Sequence, residues 1–148
     1  MPGYRKPFRV EVLTPEVTLF SGEVYGVKYP GADGMVGVLG YHSPLVTTIS
    51  HGQLTLDTAE GETREYWVAG GFAQVRENLM TILAEECQAL NQLDRDDAWE
   101  QLERANRMKT ETDEQYQRRQ HVLNVARDKF NLIQKYRKRK RDARKQSH

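Results

Sequence analysis

All eleven glycines and all five prolines lie before Leu93, and the rest of the chain contains neither. Between Phe8 and Leu90, short apolar and alternating runs are separated by turn residues, the pattern of an all-β sandwich or barrel. From Leu93 the apolar period changes from two to about 3.6 residues, which indicates helices. The chain is therefore predicted to be an α+β protein. Residues 1–92 form a β-sandwich of two sheets, and residues 93–148 form an antiparallel two-helix hairpin with a basic C-terminal extension.

The strands of the first module are predicted from alternation and from the turn residues between them. Phe8, Val10 and Val12 share one face of a first strand, which Thr14-Pro15-Glu16 ends. Turns are predicted at Ser21-Gly22, 30–34, 59–61, Gly70-Gly71 and Asn78. Further strands are predicted at 17–20, 24–29, 53–58, 62–68, 72–75, 79–83 and 87–90.

The helices are predicted from their caps and apolar stripes. Asp94 is expected to cap the first helix by accepting from the amide of Asp97. Thr110 and Asp113 resemble a capping box for the second helix, which is predicted from Thr112 to about Asp142. The first stripe contains Ala98, Leu102 and Ala105, and the second contains Tyr116, Leu123, Ala126, Phe130 and Ile133.

Glycines recur at every third position from Gly31 to Gly40, which could suggest a phosphate-binding loop. A Walker loop needs Lys and Ser or Thr after its last glycine, whereas Tyr41 and His42 follow here. Pro44 also prevents an early helix whose amides would meet a phosphate. The run from Pro30 to Gly34 is instead predicted to be a hairpin turn.

The formal net charge of +1 conceals two oppositely charged modules. Residues 1–93 contain six basic and eleven acidic side chains, and residues 94–148 contain sixteen basic and ten acidic ones. This asymmetry predicts modules with different partners. The single cysteine, Cys87, allows no intrachain disulfide and favours a reducing compartment. No bilayer-spanning stretch and no Arg-rich transit segment is found, which favours a bacterial or organelle-encoded soluble chain.

No catalytic or metal site is predicted. The four histidines, His42, His51, His121 and His148, fall in different elements without ligands at metal spacing. Asp94, Asp96 and Asp97 lack the glycine and glutamate of a calcium loop, since Trp99 and Ala105 stand at those positions. Cys87 is interpreted as a cysteine buried in a core strand. No cofactor is expected.

The C-terminal segment is strongly basic, with Asp142 as its only acid. Its cations exceed what a helix dipole accommodates. An acidic protein surface, nucleic acid and anionic lipid are all partners that it could take. The eight cations are Lys135, Arg137, Lys138, Arg139, Lys140, Arg141, Arg144 and Lys145.

Motifs of the first module resemble those of the epsilon subunit of F-type ATP synthase. They cover residues 8–90 strongly and 93 to about 135 moderately. The matching pieces are Phe20-Ser21-Gly22-Glu23-Val24, Gly31 to Leu45, Thr47 to Gly52, Val68-Ala69-Gly70-Gly71-Phe72 and Thr81-Ile82-Leu83-Ala84.

This resemblance implies a noncatalytic rotor subunit that couples proton translocation to ATP synthesis. It implies contacts with the gamma subunit and the membrane c-ring, no nucleic acid, and peripheral association with the cytoplasmic face of a bacterial inner membrane through the complex. The implied docking residues are Pro30, Gly31, Asp33, Gly34, Met35, His42, Ser43, Pro44 and Leu45.

The resemblance also implies that the hairpin inhibits ATP hydrolysis by contacting the alpha and beta catalytic subunits. The implied contacts are Arg127, Phe130, Ile133, Lys135, Tyr136, Arg137, Lys138, Arg139, Lys140 and Arg141.

This chain departs from the family at several positions. In relatives that bind ATP on the hairpin, an arginine stands where Asp97 lies here, so an ATP site is doubtful. Met35 replaces a frequent glutamate, Gly40-Tyr41 replaces Pro-Gly, and the tail beyond Tyr136 has no counterpart. The alternative hypothesis is a β module whose basic helical arm binds nucleic acid, although only Tyr136 could stack on bases there.

Overall fold

The computed structural model describes residues 6–147, which divide into two compact units between Ala89 and Leu90. The division lies a few residues before the predicted module boundary. Unit 1 is all β and unit 2 is helical, in agreement with the predicted α+β class.

Unit 1 contains seven strands. Strands β1, β3 and β4 are short, whereas β2, β6 and β7 are long. Their bounds are β1 (Phe8–Leu13), β2 (Thr18–Gly31), β3 (Gly34–Leu39), β4 (Leu45–Thr48), β5 (His51–Thr58), β6 (Thr63–Arg76) and β7 (Leu79–Ala89).

The strands follow the order β1-β7-β6-β5-β2-β3, with β4 beside β6. Strand β1 also pairs with β2, which closes five strands into a flattened barrel. All pairings are antiparallel except that of β1 with β7. Strand β2 pairs with β1 through its first half and with β3 and β5 through its second half, so it joins the two ends of the strand order.

The core lies inside the closed sheet because alternate residues of each strand point inward. Phe8, Val10 and Val12 are buried, as the alternation of β1 predicts. Tyr29 is fully buried, and its hydroxyl lies 2.5 Å from Thr47 Oγ1, which satisfies the polar end of the ring. The rest of the core cluster includes Val24, Val27, Val38, Leu54, Leu56, Val68, Val75, Met80 and Ile82.

Three pairs of predicted strands are in fact single long strands. The predicted breaks at Ser21-Gly22, at Gly70-Gly71 and between 83 and 87 lie inside β2, β6 and β7, and β7 ends at Ala89. Glycine allows a strand to bend without ending. At Gly71, φ is +122° and a Cβ would lie 2.0 Å from Leu83 O, so the sheet requires glycine there.

Other turn predictions are confirmed. Gly31 pairs with Gly34 across the β2–β3 turn, and Ala59-Glu60-Gly61 lies within the connection from β5 to β6. Glu77 and Asn78 form the β6–β7 turn with positive φ. Strands β3 and β4 were not among the predicted strands.

Unit 2 begins with a short 3₁₀ helix, Leu90–Gln92, followed by α1 (Arg95–Asn106) and α2 (Asp113–Gln146). Asp94 caps α1, but it accepts from the amide of Asp96 rather than that of Asp97. The capping box of α2 is formed by Thr112 and Gln115, not by Thr110 and Asp113. Both corrections are shifts of one or two residues, since several neighbouring side chains could accept from the first free amides.

Contacts between α1 and α2 define the hairpin. Arg119 Nη2 donates to Asn106 O (3.3 Å) where α1 ends. At the other end, Arg95 Nε donates to Gln134 Oε1 (3.0 Å). The Trp99 and Phe130 rings lie 5.2 Å apart between these two contacts. Helix α2 therefore continues past the start of α1.

Candidate interaction surfaces

The β2–β3 turn presents part of the predicted docking set to solvent. Asp33, Gly34 and Met35 are exposed, and Met35 is 62% exposed. Pro30 and Gly31 are buried. They therefore shape the turn, while Asp33, Gly34 and Met35 contribute to its surface.

The β3–β4 loop brings the second part of the predicted set to the surface. His42, Ser43 and Pro44 are exposed, and His42 Nδ1 lies 2.8 Å from Ser43 O. Gly40 is required by a close approach, because a Cβ there would meet the backbone of Lys6. Tyr41 has φ 62°, a left-handed conformation that favours glycine.

Leu45, the last residue of the predicted docking set, packs against the core of unit 1. Its neighbour Val46 is 69% exposed. Because β4 alternates between its two faces, the residue that faces solvent is Val46.

An exposed apolar face, formed by Val46, Phe72 and Leu83, lies on the outer side of the β4–β6–β7 sheet. Phe72 is 56% exposed and pairs directly with Leu83 on β7. Val46 pairs with Gln74, which lies two residues from Phe72 and therefore on the same face. Large apolar side chains that cluster at the surface mark interaction sites.

Sequence reasoning missed this face as a surface. Phe72 and Leu83 contributed to the motifs of the resemblance, but nothing in their local sequence shows that they point away from the core. The register of β6 against β7 places them opposite each other. A depression of about 440 Å³, lined by residues that include Pro44, Val46 and Gln74, adjoins the apolar face.

Potential catalytic groups of the described chain are dispersed or unreactive. Cys87 is buried, and this burial raises the pKa of its thiol to about 12, with a further contribution from Glu86. At neutral pH the thiol is therefore protonated and a poor nucleophile. Of the predicted surface histidines, His148 lies outside the described residues. Within residues 6–147, no group of His, Cys, Asp and Glu side chains could hold a metal ion.

The hairpin presents its cations along the end of α2. Arg127, Lys135 and every residue from Arg137 to Ser147 are exposed. The Tyr136 ring lies 5.4 Å from both the Arg139 guanidinium and the Lys140 ammonium. These basic residues are therefore available to a partner along one helix.

The apolar residues predicted to assist the cations are covered to different degrees. Ile133 is 1% exposed, whereas Phe130 and Tyr136 are partly exposed. Phe130 contacts Trp99 and lies 5.5 Å from the Arg95 guanidinium. Ile133 can meet a partner only after a rearrangement that uncovers it.

The start of α1 carries Asp97, which the resemblance sets against an arginine. Asp97 is exposed in the first turn beside Asp96. Two carboxylates at this position repel an anionic ligand that the helix dipole would otherwise attract. That no nucleotide binds at the start of α1 stays a prediction.

No helix within residues 6–147 has the length and apolarity that crossing a membrane requires.

Comparison with known proteins identifies relatives over most of the chain. The family model of the ATP synthase delta/epsilon chain β-sandwich domain matches residues 7–89. The ATP synthase epsilon chain of Dichelobacter nodosus is 36% identical over 102 residues, which cover 69% of this chain and 71% of that protein. The Mesorhizobium japonicum protein of the same name is 39% identical over 98 residues, covering 66% and 73%.

A third epsilon chain, from a Sulfurihydrogenibium species, is 35% identical over 129 residues. The match covers 80% of this chain and 96% of that protein. Solved structures share the fold. A chain of the Euglena gracilis mitochondrial ATP synthase matches with a TM-score of 0.72 at 19% identity, covering 82% of this chain and 78% of that one. A chain of the Tetrahymena thermophila central stalk and c-ring matches with a TM-score of 0.62 at 14% identity, covering 85% and 98%. These relatives do not favour the nucleic-acid hypothesis.

Proposed function

The chain belongs to the epsilon-chain family of ATP synthase, and from that membership we propose that it is a noncatalytic subunit of the central stalk. In this role it links the c-ring to the gamma subunit and transmits rotation, so that proton translocation is coupled to ATP synthesis. The dispersed histidines and the protonated Cys87 thiol support a noncatalytic role.

The apolar face of Val46, Phe72 and Leu83 is the observation that carries this proposal. A stable protein interface has an apolar centre from which charged residues are depleted. This face has that composition, and we assign it to the gamma subunit. Asp33, Gly34 and Met35 on the neighbouring turn, together with the loop at His42–Pro44, are assigned to the edge of the same contact and to the c-ring.

Co-purification of the subunits tests the docking assignment. The double variant Val46→Asp with Phe72→Asp places two carboxylates on the apolar face. It is expected to release the chain from gamma, because the contact would bury these charges without a partner. The matched control, Gln117→Asp with Asn131→Asp, adds the same charge at exposed helix positions and is expected to retain gamma. Retention of gamma by the face variant at wild-type levels would refute the assignment.

The exposed cations of α2 support a second part of the proposal, in which the hairpin inhibits ATP hydrolysis by contacting the alpha and beta subunits. Exposed ion pairs contribute only about 0–1 kcal/mol each. A two-state hairpin needs roughly 5.5 kcal/mol of differential binding to shift from 1:99 to 99:1. Apolar contacts by Phe130, Ile133 and Tyr136 therefore supplement the charges once Ile133 is uncovered.

Deletion of residues 112–148 tests the inhibitory role in the assembled complex. Unit 1 keeps its own core and its apolar face, so assembly with gamma is expected to persist while ATP hydrolysis rises. A full-length chain in which Lys135, Arg137 and Lys138 are replaced by Gln keeps the hairpin but loses three of its positive charges. It therefore tests the contribution of the charges to inhibition apart from that of the hairpin itself. Unchanged hydrolysis after the deletion, with assembly intact, would exclude the inhibitory role.

We further assign the chain to the cytoplasmic face of a bacterial membrane, held there through the complex. The lack of a membrane-crossing helix in the described residues is consistent with peripheral attachment. Fractionation tests this assignment, since the chain should leave the membrane together with gamma and not independently.

A further inference from the structure

The end of α2 extends past the start of α1 and is mostly exposed. Arg95, the first residue of α1, is level with Gln134, so α2 continues about three turns beyond that point. Every residue from Arg137 to Ser147 is exposed. We name residues 135–146 the cationic arm. Tertiary packing supplies most of the stability of short helices, and the arm receives very little of it.

Charges within the cationic arm repel one another when the arm is helical. Residues three and four apart are neighbours on a helix, and like charges at those spacings destabilise it. Arg141 alone has four cationic neighbours of this kind, Arg137, Lys138, Arg144 and Lys145. Asp142 provides the arm's only opposite-charge pairs, with Lys138, Arg139 and Lys145. Repulsive pairs therefore outnumber attractive ones.

The helix dipole offsets only part of this repulsion. Its favourable effect on cations is confined to the last turn, which holds Arg144 and Lys145. The five consecutive cations from Arg137 to Arg141 lie before that turn. Their repulsion has to be relieved from outside the helix.

The residue types of the arm distinguish between the possible polyanionic partners, which are a membrane, a nucleic acid and an acidic protein. An interfacial membrane helix needs an apolar face, and residues 137–146 offer only Ala143. Single-stranded nucleic acid is bound by stacking on open aromatic rings, whereas the Tyr136 ring is already contacted by Arg139 and Lys140. The side chains of successive helical residues point about 100° apart, so the consecutive cations lie on all sides of the helix. Such an arrangement suits a cleft whose walls carry carboxylates.

We propose that the cationic arm is a conditional helix: it frays readily in the free chain, and the carboxylates of a partner protein hold it in the helical form by neutralising its charges. That the partner is a protein rests on the proposed function. The repulsion within the arm follows from the sequence and does not depend on that function. The regulatory contact thereby becomes sensitive to ionic strength, because salt competes with the carboxylates for the arm. The free arm exchanges its amide hydrogens rapidly, and the bound arm is protected.

Hydrogen exchange of the full-length chain, followed by mass spectrometry of peptides from residues 135–147, tests the proposal. Arg141→Glu converts four repulsive pairs into attractive ones, and we expect it to raise protection of the arm by about tenfold or more at low salt. Arg139→Glu is the matched control. It changes the charge equally, but it relieves one repulsive pair with Lys135 and creates another with Asp142, so protection should not change.

Addition of poly-L-glutamate to the wild-type chain should produce protection comparable to that of Arg141→Glu. Equal protection in both charge variants would overturn the proposal, as would strong protection of the free wild-type arm at low salt. Protection by duplex DNA or by phosphatidylglycerol vesicles but not by poly-L-glutamate would overturn the carboxylate assignment. If deletion of residues 112–148 leaves ATP hydrolysis unchanged while Arg141→Glu still orders the arm, the inhibitory function fails and the conditional helix stands.

Discussion

Phe72 is expected to be the main contributor to the affinity between this chain and gamma. Its ring lies at the centre of the apolar face and is 56% exposed. A fully covered aromatic side chain buries roughly 200 Å², so the exposed part corresponds to about 110 Å². At about 25 cal/mol per Å², covering that area contributes close to 3 kcal/mol. Alanine keeps the Cβ, and Phe72→Ala should therefore cost about 2 kcal/mol, which is roughly a 30-fold loss of affinity.

Titration calorimetry of the purified chain with gamma measures this loss directly. Tyr116→Ala is the control, because Tyr116 is 48% exposed but belongs to α2 of unit 2, whereas the apolar face belongs to unit 1. The affinity of the Tyr116→Ala variant for gamma should stay close to that of the wild type. Both variants should unfold near the wild-type temperature, since neither residue belongs to the core of unit 1. A Phe72→Ala affinity within about threefold of wild type would refute the assignment of this face to gamma.

Three further predictions concern the backbone, the thiol and nucleotide. Gly71→Ala should lower the free energy of unfolding by more than about 2 kcal/mol in denaturant titration, because a Cβ meets Leu83 O at positive φ; Gly37→Ala, with open space around it, should change it by less than about 1 kcal/mol. The neutral Cys87 thiol contributes stability below pH 9 that is lost as pH rises toward about 12, since the unfolded thiol ionises first; Cys87→Ala should flatten that part of the pH profile, and an unchanged profile would contradict the burial argument. Millimolar ATP should leave the melting temperature unchanged, because Asp97 repels the phosphates; a rise would show nucleotide binding.

The strands were predictable where alternation and turn chemistry agree. β1, β5 and the turn that joins β5 to β6 were predicted within a few residues, because a strand that is buried on one face alternates and turn residues end it. The long strands were divided wrongly because glycine serves both as a turn residue and as a bend inside a strand. Only the neighbouring strand decides between these, as Leu83 does for Gly71.

Helix caps show the same limit at a smaller scale. Several of the residues from Thr110 to Asp113 could accept from a free amide, and helix bounds differ by one or two residues for that reason. Thr112 becomes the cap because its hydroxyl accepts from the Gln115 amide while the Gln115 side-chain oxygen accepts from the Thr112 backbone N–H. The sequence predicted a capping box in this segment but placed it two residues too early.

The sequence by itself determined the two modules, the absence of an intrachain disulfide, the basic end of α2 and the family, because composition, periodicity and ordered motifs are local properties. Tertiary structure decided which residues reach the surface. Val46 rather than Leu45 faces solvent, Pro30 and Gly31 are buried, and Phe72 meets Leu83 across two strands. The reason is physical: strand register assigns each side chain to one face of the sheet, and register arises from pairing between distant segments.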